Sequence, residues 1–235
     1  MGEESGSAAR TVSYAAQTLD TPNPIARYAH RQRYKASFDR VTGEVRDGGT
    51  VFDFGCGEGD FLNALADLRP DLTLIGFDPE SGHEAERYAP VDDPARVEPA
   101  SVDLVCCFET LEHLYDDEIA SFLDTADRVL VPRGEILISV PVIGGPTLLL
   151  KEANRAILFR RRSDYSAREL MAASFGGRPA PRPDDIRVTH KGFDFRALLA
   201  RLGERFEVAD VTCSPFPALP WWLNSQVFAR LRRRG

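Results

Sequence analysis

Four places in the chain gather residues able to do chemistry. Residues 51–62 read VFDFGCGEGDFL: an apolar run closes on Asp53, the turn Gly55-Cys56-Gly57-Glu58-Gly59 follows, and helical spacing resumes at Phe61. Glycine lets a backbone come close to a ligand, and the turn from a strand into a helix is where open α/β sheets hold small ligands. A dinucleotide fingerprint places its third glycine at the position that Asp60 occupies here. The acidic residue before the turn suits an amino group on the ligand better than a pyrophosphate, which it would repel. A second carboxylate, Asp78, ends the run Leu74-Ile75-Gly76-Phe77, and an acid there can accept hydrogen bonds from both hydroxyls of a ribose.

Glu109, Glu112 and His113 follow the apolar run 102–108, at the strand edge where such sheets keep their active sites. Glu112 and His113 can position a reacting group, take its proton, help bind a metal, or simply pack and cap the next segment. Two carboxylates and one histidine lack the fourth group that a metal site needs, so no metal is expected. His190, before Lys191-Gly192-Phe193, reads either as a general base at a pocket mouth or as a surface loop histidine.

The elements that must position these residues follow from periodicity. Asn23-Pro24 predicts a helix start, and the helix runs towards Val45, where Asp47-Gly48-Gly49 stops it. Strands are expected at 50–54, 72–77, 102–108 and 135–142, with helices at 61–68 and 116–130 between them. Pro132-Arg133-Gly134 reads as the turn into the fourth of these strands, and Glu80–Pro99 is polar with no clear helix. Such alternation predicts an α/β fold: a doubly wound, mostly parallel sheet. Phe195–Leu202 reads as a further helix, and 206–213 and 226–231 as two strands close enough in sequence to pair antiparallel.

The alternation breaks at 144–190, which reads as an inserted lid. Its basic stretch, Lys151, Arg155, Arg160-Arg161-Arg162 and Arg168, is either solvated or draws an anionic substrate. The C-terminal arginines read as solvated tail, and Trp221-Trp222 as packing a long connection. With 235 residues the chain can bury a core without disulfides. Cys106 and Cys107, adjacent in an apolar run, should face opposite sides of a strand, and the four cysteines read as reduced packing residues. A net charge of −7 excludes a general nucleic-acid footprint. The polar opening Met1–Arg10 and short apolar runs predict a cytoplasmic protein without a membrane span.

Taken in order, the segments DFGCGEG, IGFD, DLVCCFETLEHL and LVPRGEILISVP resemble the motif series of class I S-adenosylmethionine-dependent methyltransferases, and the LEHL segment is similar to the small-molecule type, including the ubiquinone-biosynthesis methyltransferases. The resemblance covers roughly residues 48–142, and 190–232 more weakly. It implies S-adenosyl-L-methionine as cofactor, a Rossmann-like fold with an antiparallel last strand, and methyl transfer to an oxygen or nitrogen of a small molecule. It also implies that Asp53, with the backbone of Gly55, Cys56 and Gly57, faces the methionine part, Asp78 the ribose, and Phe108 and Glu109 the sulfonium. Asp92-Asp93 is the candidate acidic contact to adenine. Glu112, His113 and His190 are the candidate catalytic residues on the acceptor side. Residues 1–47 form a helical cap, and 48–235 the cofactor domain with its lid at 144–190. The rival readings are a non-catalytic scaffold of the same fold and an NAD(P)-dependent oxidoreductase.

Overall fold

The computed structural model describes residues 24–80, 85–159 and 162–234; the arginine pair 160–161, the polar start of the chain and Asn23 lie outside these. The central strands are made where the sequence is most continuously apolar. Strands β1 (Thr50–Phe54), β2 (Thr73–Phe77), β4 (Val102–Phe108) and β5 (Leu130–Pro141) lie parallel, with β1 between β2 and β4. A short β3 (Ala89–Val91) extends the edge beside β2. Strands β6 (Phe206–Ser214) and β7 (Gln226–Arg233) complete a seven-stranded sheet of order β3-β2-β1-β4-β5-β7-β6, in which β7 is antiparallel to both neighbours.

The period of two along each strand divides the core into halves. Phe52, Val105 and Cys107 face one side, with Phe122, Ala126 and Leu198. Val51, Leu104 and Cys106 face the other, with Val41, Leu62 and Leu65. The adjacent cysteines therefore point apart, as the alternation requires. Helix α1 (Pro24–Glu44) and α2 (Asp60–Leu68) cover the second side; α3 (Asp116–Val129) and α6 (Phe195–Leu202) cover the first. Helices α4 (Pro146–Phe159) and α5 (Ala167–Phe175) occupy the segment that breaks the alternation. No helix among the described residues is long and apolar enough to cross a membrane.

One strand was not foreseen, and one expected turn needs correction. Residues 89–91 do form a third parallel strand; with only three residues and a proline, they lack the apolar run by which a strand is recognised. Pro132-Arg133-Gly134 is no turn either, since β5 runs through it. The pairing with β4 jumps from Val102–Leu130 to Leu104–Glu135. Pro132 and Gly134 thus sit in a bulge, where a proline loses no ladder hydrogen bond.

Candidate active site

With β1 between β2 and β4, chain connections leave in opposite directions from neighbouring strands, which opens a crevice at their carboxyl ends. A cavity of about 590 Å³ lies there, lined by Asp53, the glycine turn, Asp78, Phe108, Glu109 and His113. The turn is fixed to the sheet from both sides. The Gly55 and Cys56 amides donate to the Phe77 carbonyl at 2.7 and 3.0 Å, and the Thr110 hydroxyl donates to the Phe108 carbonyl at 3.0 Å and reaches the Gly55 carbonyl at 3.4 Å. Gly55 has φ +85°, and a Cβ there would stand 2.4 Å from Thr110 Oγ1, so position 55 admits no side chain. Gly57, at φ +55°, has open space where a Cβ would be, which leaves its backbone accessible to a ligand.

Asp53 is 3% exposed, and its Oδ1 has no hydrogen-bond partner. Burial, with a smaller contribution from Asp78, pushes its carboxyl up to about 7, because an unpaired charge is costly away from water. Asp78 Oδ2 accepts from the Gly57 amide at 2.9 Å and Oδ1 from Glu80 N at 3.0 Å. Asp78 thus shapes the glycine turn while each oxygen keeps a second lone pair. Burial raises the Cys56 thiol pKa, which keeps it protonated.

Phe108 presents its ring edge-on to Phe61, with centroids 5.1 Å apart. Glu109 holds φ +51°, a conformation that costs a non-glycine residue roughly 1–2 kcal/mol. Its amide donates to the Ser139 carbonyl at 2.9 Å, and Oε1 accepts from Gln226 Nε2 at 2.9 Å and Ser139 Oγ at 3.3 Å. Gln226 Oε1 is buried without a partner and lines the cavity, as do Ser139 and Arg187. Sequence reasoning missed all three, for single polar residues on strands or loops carry no spacing signal.

Around the corner, Glu112, His113 and His190 come together from positions far apart in sequence. The His113 and His190 Nε2 atoms are 3.0 Å apart, and they stand 4.0 and 3.7 Å from Glu112 Oε1. The Glu112 side chain is fully buried, whereas the two imidazoles keep solvent access. The 3-10 turn Leu111–His113 supplies two of the three. The incoming segment holds the turn in place: His113 Nδ1 faces the Ile186 carbonyl at 3.2 Å, Tyr115 OH donates to the Asp184 carbonyl at 3.2 Å, and Arg182 donates to the Glu112 carbonyl. His190 is therefore no isolated loop histidine.

Two other groups of candidates lie away from the cavity. Asp92 pairs with Arg96 at 3.0 Å, and Asp93 caps the 3-10 turn Pro94–Arg96 by accepting from Ala95 N; neither lines the cavity, although Pro94 does. Of the described cations in the basic stretch, Lys151 donates to the Val142 carbonyl and Arg155 pairs with Asp164, and none lines the cavity. Arg187 does, and it is paired with Glu118 at 2.5 Å.

The charge of the cavity selects its ligand. Asp53, Glu58, Asp60, Asp78, Glu80 and Glu109 face it, and the guanidinium that lines it is already spent on Glu118. Such a lining repels phosphates and attracts cationic centres. The unpartnered Asp53 Oδ1 and Gln226 Oε1 offer acceptors to an ammonium group. These features suit a ligand with an amino-acid end, a positive sulfur and a ribose.

A methyltransferase-domain family matches residues 26–174, more than half of the chain. The chain belongs to that methyltransferase family. Over 117 residues it is 35% identical to a probable S-adenosylmethionine-dependent methyltransferase of Mycolicibacterium smegmatis, covering 47% of this chain and 44% of that protein. Over 104 residues it is 33% identical to a ubiquinone biosynthesis O-methyltransferase of Xylella fastidiosa, covering 39% and 42%. The match thus spans less than half the length of these curated relatives. In fold it is similar to the 1,6-didemethyltoxoflavin-N1-methyltransferase of Burkholderia thailandensis, solved with bound 1,6-didemethyltoxoflavin and S-adenosylhomocysteine: TM-score 0.56 at 17% identity, covering 94% of this chain and 86% of that chain. The magnesium protoporphyrin IX methyltransferase of Synechocystis gives a TM-score of 0.52 at 18% identity, over 91% and 89%.

Proposed function

We propose that this methyltransferase binds S-adenosylmethionine in the cavity and passes its methyl group to an oxygen or nitrogen of a small-molecule acceptor. The observation that carries the reading is the carboxylate-lined cavity at the β1/β4 crevice, with Asp53 buried and its Oδ1 unpartnered. The same lining disfavours a dinucleotide pyrophosphate. When bound, the cofactor supplies an electrophilic methyl group on a sulfonium sulfur. Asp53 holds the ammonium of the methionine part against the Gly55–Gly57 backbone, and Asp78 accepts from the ribose hydroxyls. Phe108 and Glu109 stand towards the sulfonium. Glu112, His113 and His190 hold or move the acceptor's proton. Alignment of two bound reactants contributes roughly 7–11 kcal/mol, and proton transfer adds roughly 10²–10⁴-fold where the acceptor needs it.

Asp78→Ala is expected to weaken S-adenosylhomocysteine binding by about 1.5–3 kcal/mol, the worth of hydrogen bonds to a charged acceptor. Asp78→Asn keeps a carbonyl for the Gly57 amide and should lose less. Equal affinity of wild type and Asp78→Ala in calorimetry would take Asp78 out of the site.

In this reading residues 48–235 form the cofactor domain, 1–47 a helical cap, and 144–190 an acceptor-side lid. Support for the lid comes from its last turn, which brings Arg187 to the cavity and His190 onto His113. A chain in which a short glycine–serine linker replaces 144–190 should keep its S-adenosylhomocysteine affinity and lose methyl transfer. Unchanged transfer would remove the lid.

A further inference from the structure

We infer that Glu112, His113 and His190 form a binding site for one divalent cation of the zinc type, beside the cofactor cavity, with a coordination position open to an acceptor oxygen. The inference rests on the methyl-transfer reading for its purpose but on geometry for its substance. Separations of 3.0, 3.7 and 4.0 Å among the two Nε2 atoms and Glu112 Oε1 define a triangle. The point equidistant from its corners lies in their plane about 2.1 Å from each atom, the length of a zinc–imidazole or zinc–carboxylate bond, and donors shifted by about a few tenths of an ångström seat the ion tetrahedrally. Two histidines and one glutamate, with a fourth place left open, make up a known catalytic donor set.

The surroundings prepare the donors. The Ile186 carbonyl can only accept, so at 3.2 Å it holds the proton on His113 Nδ1 and leaves the Nε2 lone pair turned to the cluster. A second-shell carbonyl that fixes the tautomer and the ring in this way is the usual companion of a metal-bound histidine. Glu112 is buried, and a cation compensates a buried carboxylate at close range. Arg182 stands beside the cluster, donating to the Glu112 and Lys191 backbone carbonyls, and its charge acts on the Glu112 carboxylate from there. His190 and His113 are partly open to solvent, which gives an ion a way in, and His113 lines the cofactor cavity.

For the reaction this names the acceptor class: a hydroxyl compound whose oxygen takes the open position. A zinc-type ion lowers the pKa of a bound water from 15.7 to about 7, and it acts on an alcohol or phenol in the same sense. The O–H proton leaves to solvent, and the oxygen keeps its electron pair. That pair forms the new O–CH₃ bond as the S–CH₃ bond breaks with its electrons returning to sulfur.

The test uses the full chain, freed of metal with a chelator and titrated with zinc chloride in a calorimeter, then with cobalt chloride under visible absorption. One zinc per chain is expected, with a cobalt spectrum of nitrogen ligation. His190→Ala, an exposed change that leaves the core intact, should bind zinc about a hundredfold more weakly or worse and lose the cobalt band; Glu112→Gln should do the same. S-adenosylhomocysteine affinity, measured on each variant, should not move. Absence of stoichiometric zinc in the wild type, or equal zinc affinity in His190→Ala, overturns the cation site while leaving the methyltransferase reading intact. Failure of the wild type to bind S-adenosylhomocysteine would instead strike that reading, whatever zinc does.

Discussion

Lowering the pH from about 8 to about 5 is expected to weaken S-adenosylhomocysteine binding about a hundredfold, with the decline setting in near pH 7. The cause is Asp53, whose carboxyl is pushed up to about 7 by burial and then by Asp78. An ammonium group binds the ionised form, so below pH 7 each unit of acidity removes about 1.36 kcal/mol of affinity. Binding at pH 6 should release a proton, visible as a dependence of the calorimetric heat on buffer ionisation enthalpy. Asp53→Asn should bind more weakly at pH 8 and lose the pH dependence.

The same shift acts on the free protein with the opposite sign. A carboxyl that titrates higher in the fold than in the unfolded chain binds more protons when folded. Its contribution to stability is therefore full below pH 4 and lost as pH rises to about 7, a difference on the order of 4 kcal/mol. Without ligand, Asp53→Asn should consequently flatten the decline in stability between pH 5 and 7. A wild-type affinity that is flat from pH 5 to 8 would contradict the burial of an unpartnered Asp53.

The second large effect belongs to the acceptor side. At saturating cofactor, Glu112→Gln, His113→Ala and His190→Ala are each expected to lower kcat roughly 10²–10⁴-fold, the range that removing the acceptor's proton commands, whether the groups take it themselves or hold an ion that releases it. Cofactor affinity should hold, since none of the three belongs to the glycine turn or the two strand-end aspartates. Because the three groups lie within 4.0 Å of one another, they should act as a unit. The triple variant should then be little worse than the worst single one. Additive losses would mean three separate roles, and an unchanged kcat in all three would leave catalysis to alignment alone.

How much of this was legible in the sequence depends on the kind of signal. Strands β1 and β4 are buried on both faces, β2 on one face and partly on the other, and all three read as continuous apolar runs, so their carboxyl-end residues Asp53, Asp78 and Glu109 could be placed at one edge. The glycine turn was legible because its conformations exclude side chains. Strand β3 was not, being three partly exposed residues with a proline. The bulge in β5 was taken for a turn, since Pro and Gly punctuate more often than they interrupt. Asp92 and Asp93 carried the right charge for an adenine contact but are occupied by Arg96 and a helix cap. The pairing of His113 with His190 spans 77 positions, and only the fold of the inserted segment brings the two together. Gln226, which steadies Glu109 from the antiparallel strand β7, had no spacing to betray it.

The most direct test is a calorimetric titration of the full chain at about pH 8, where Asp53 is ionised, with S-adenosylmethionine and with NADH in parallel. Saturable binding of one S-adenosylmethionine per chain, with no heat from NADH, is the predicted result. Binding of NADH, or no binding of S-adenosylmethionine, would contradict the assignment of the carboxylate-lined cavity to the methyl donor.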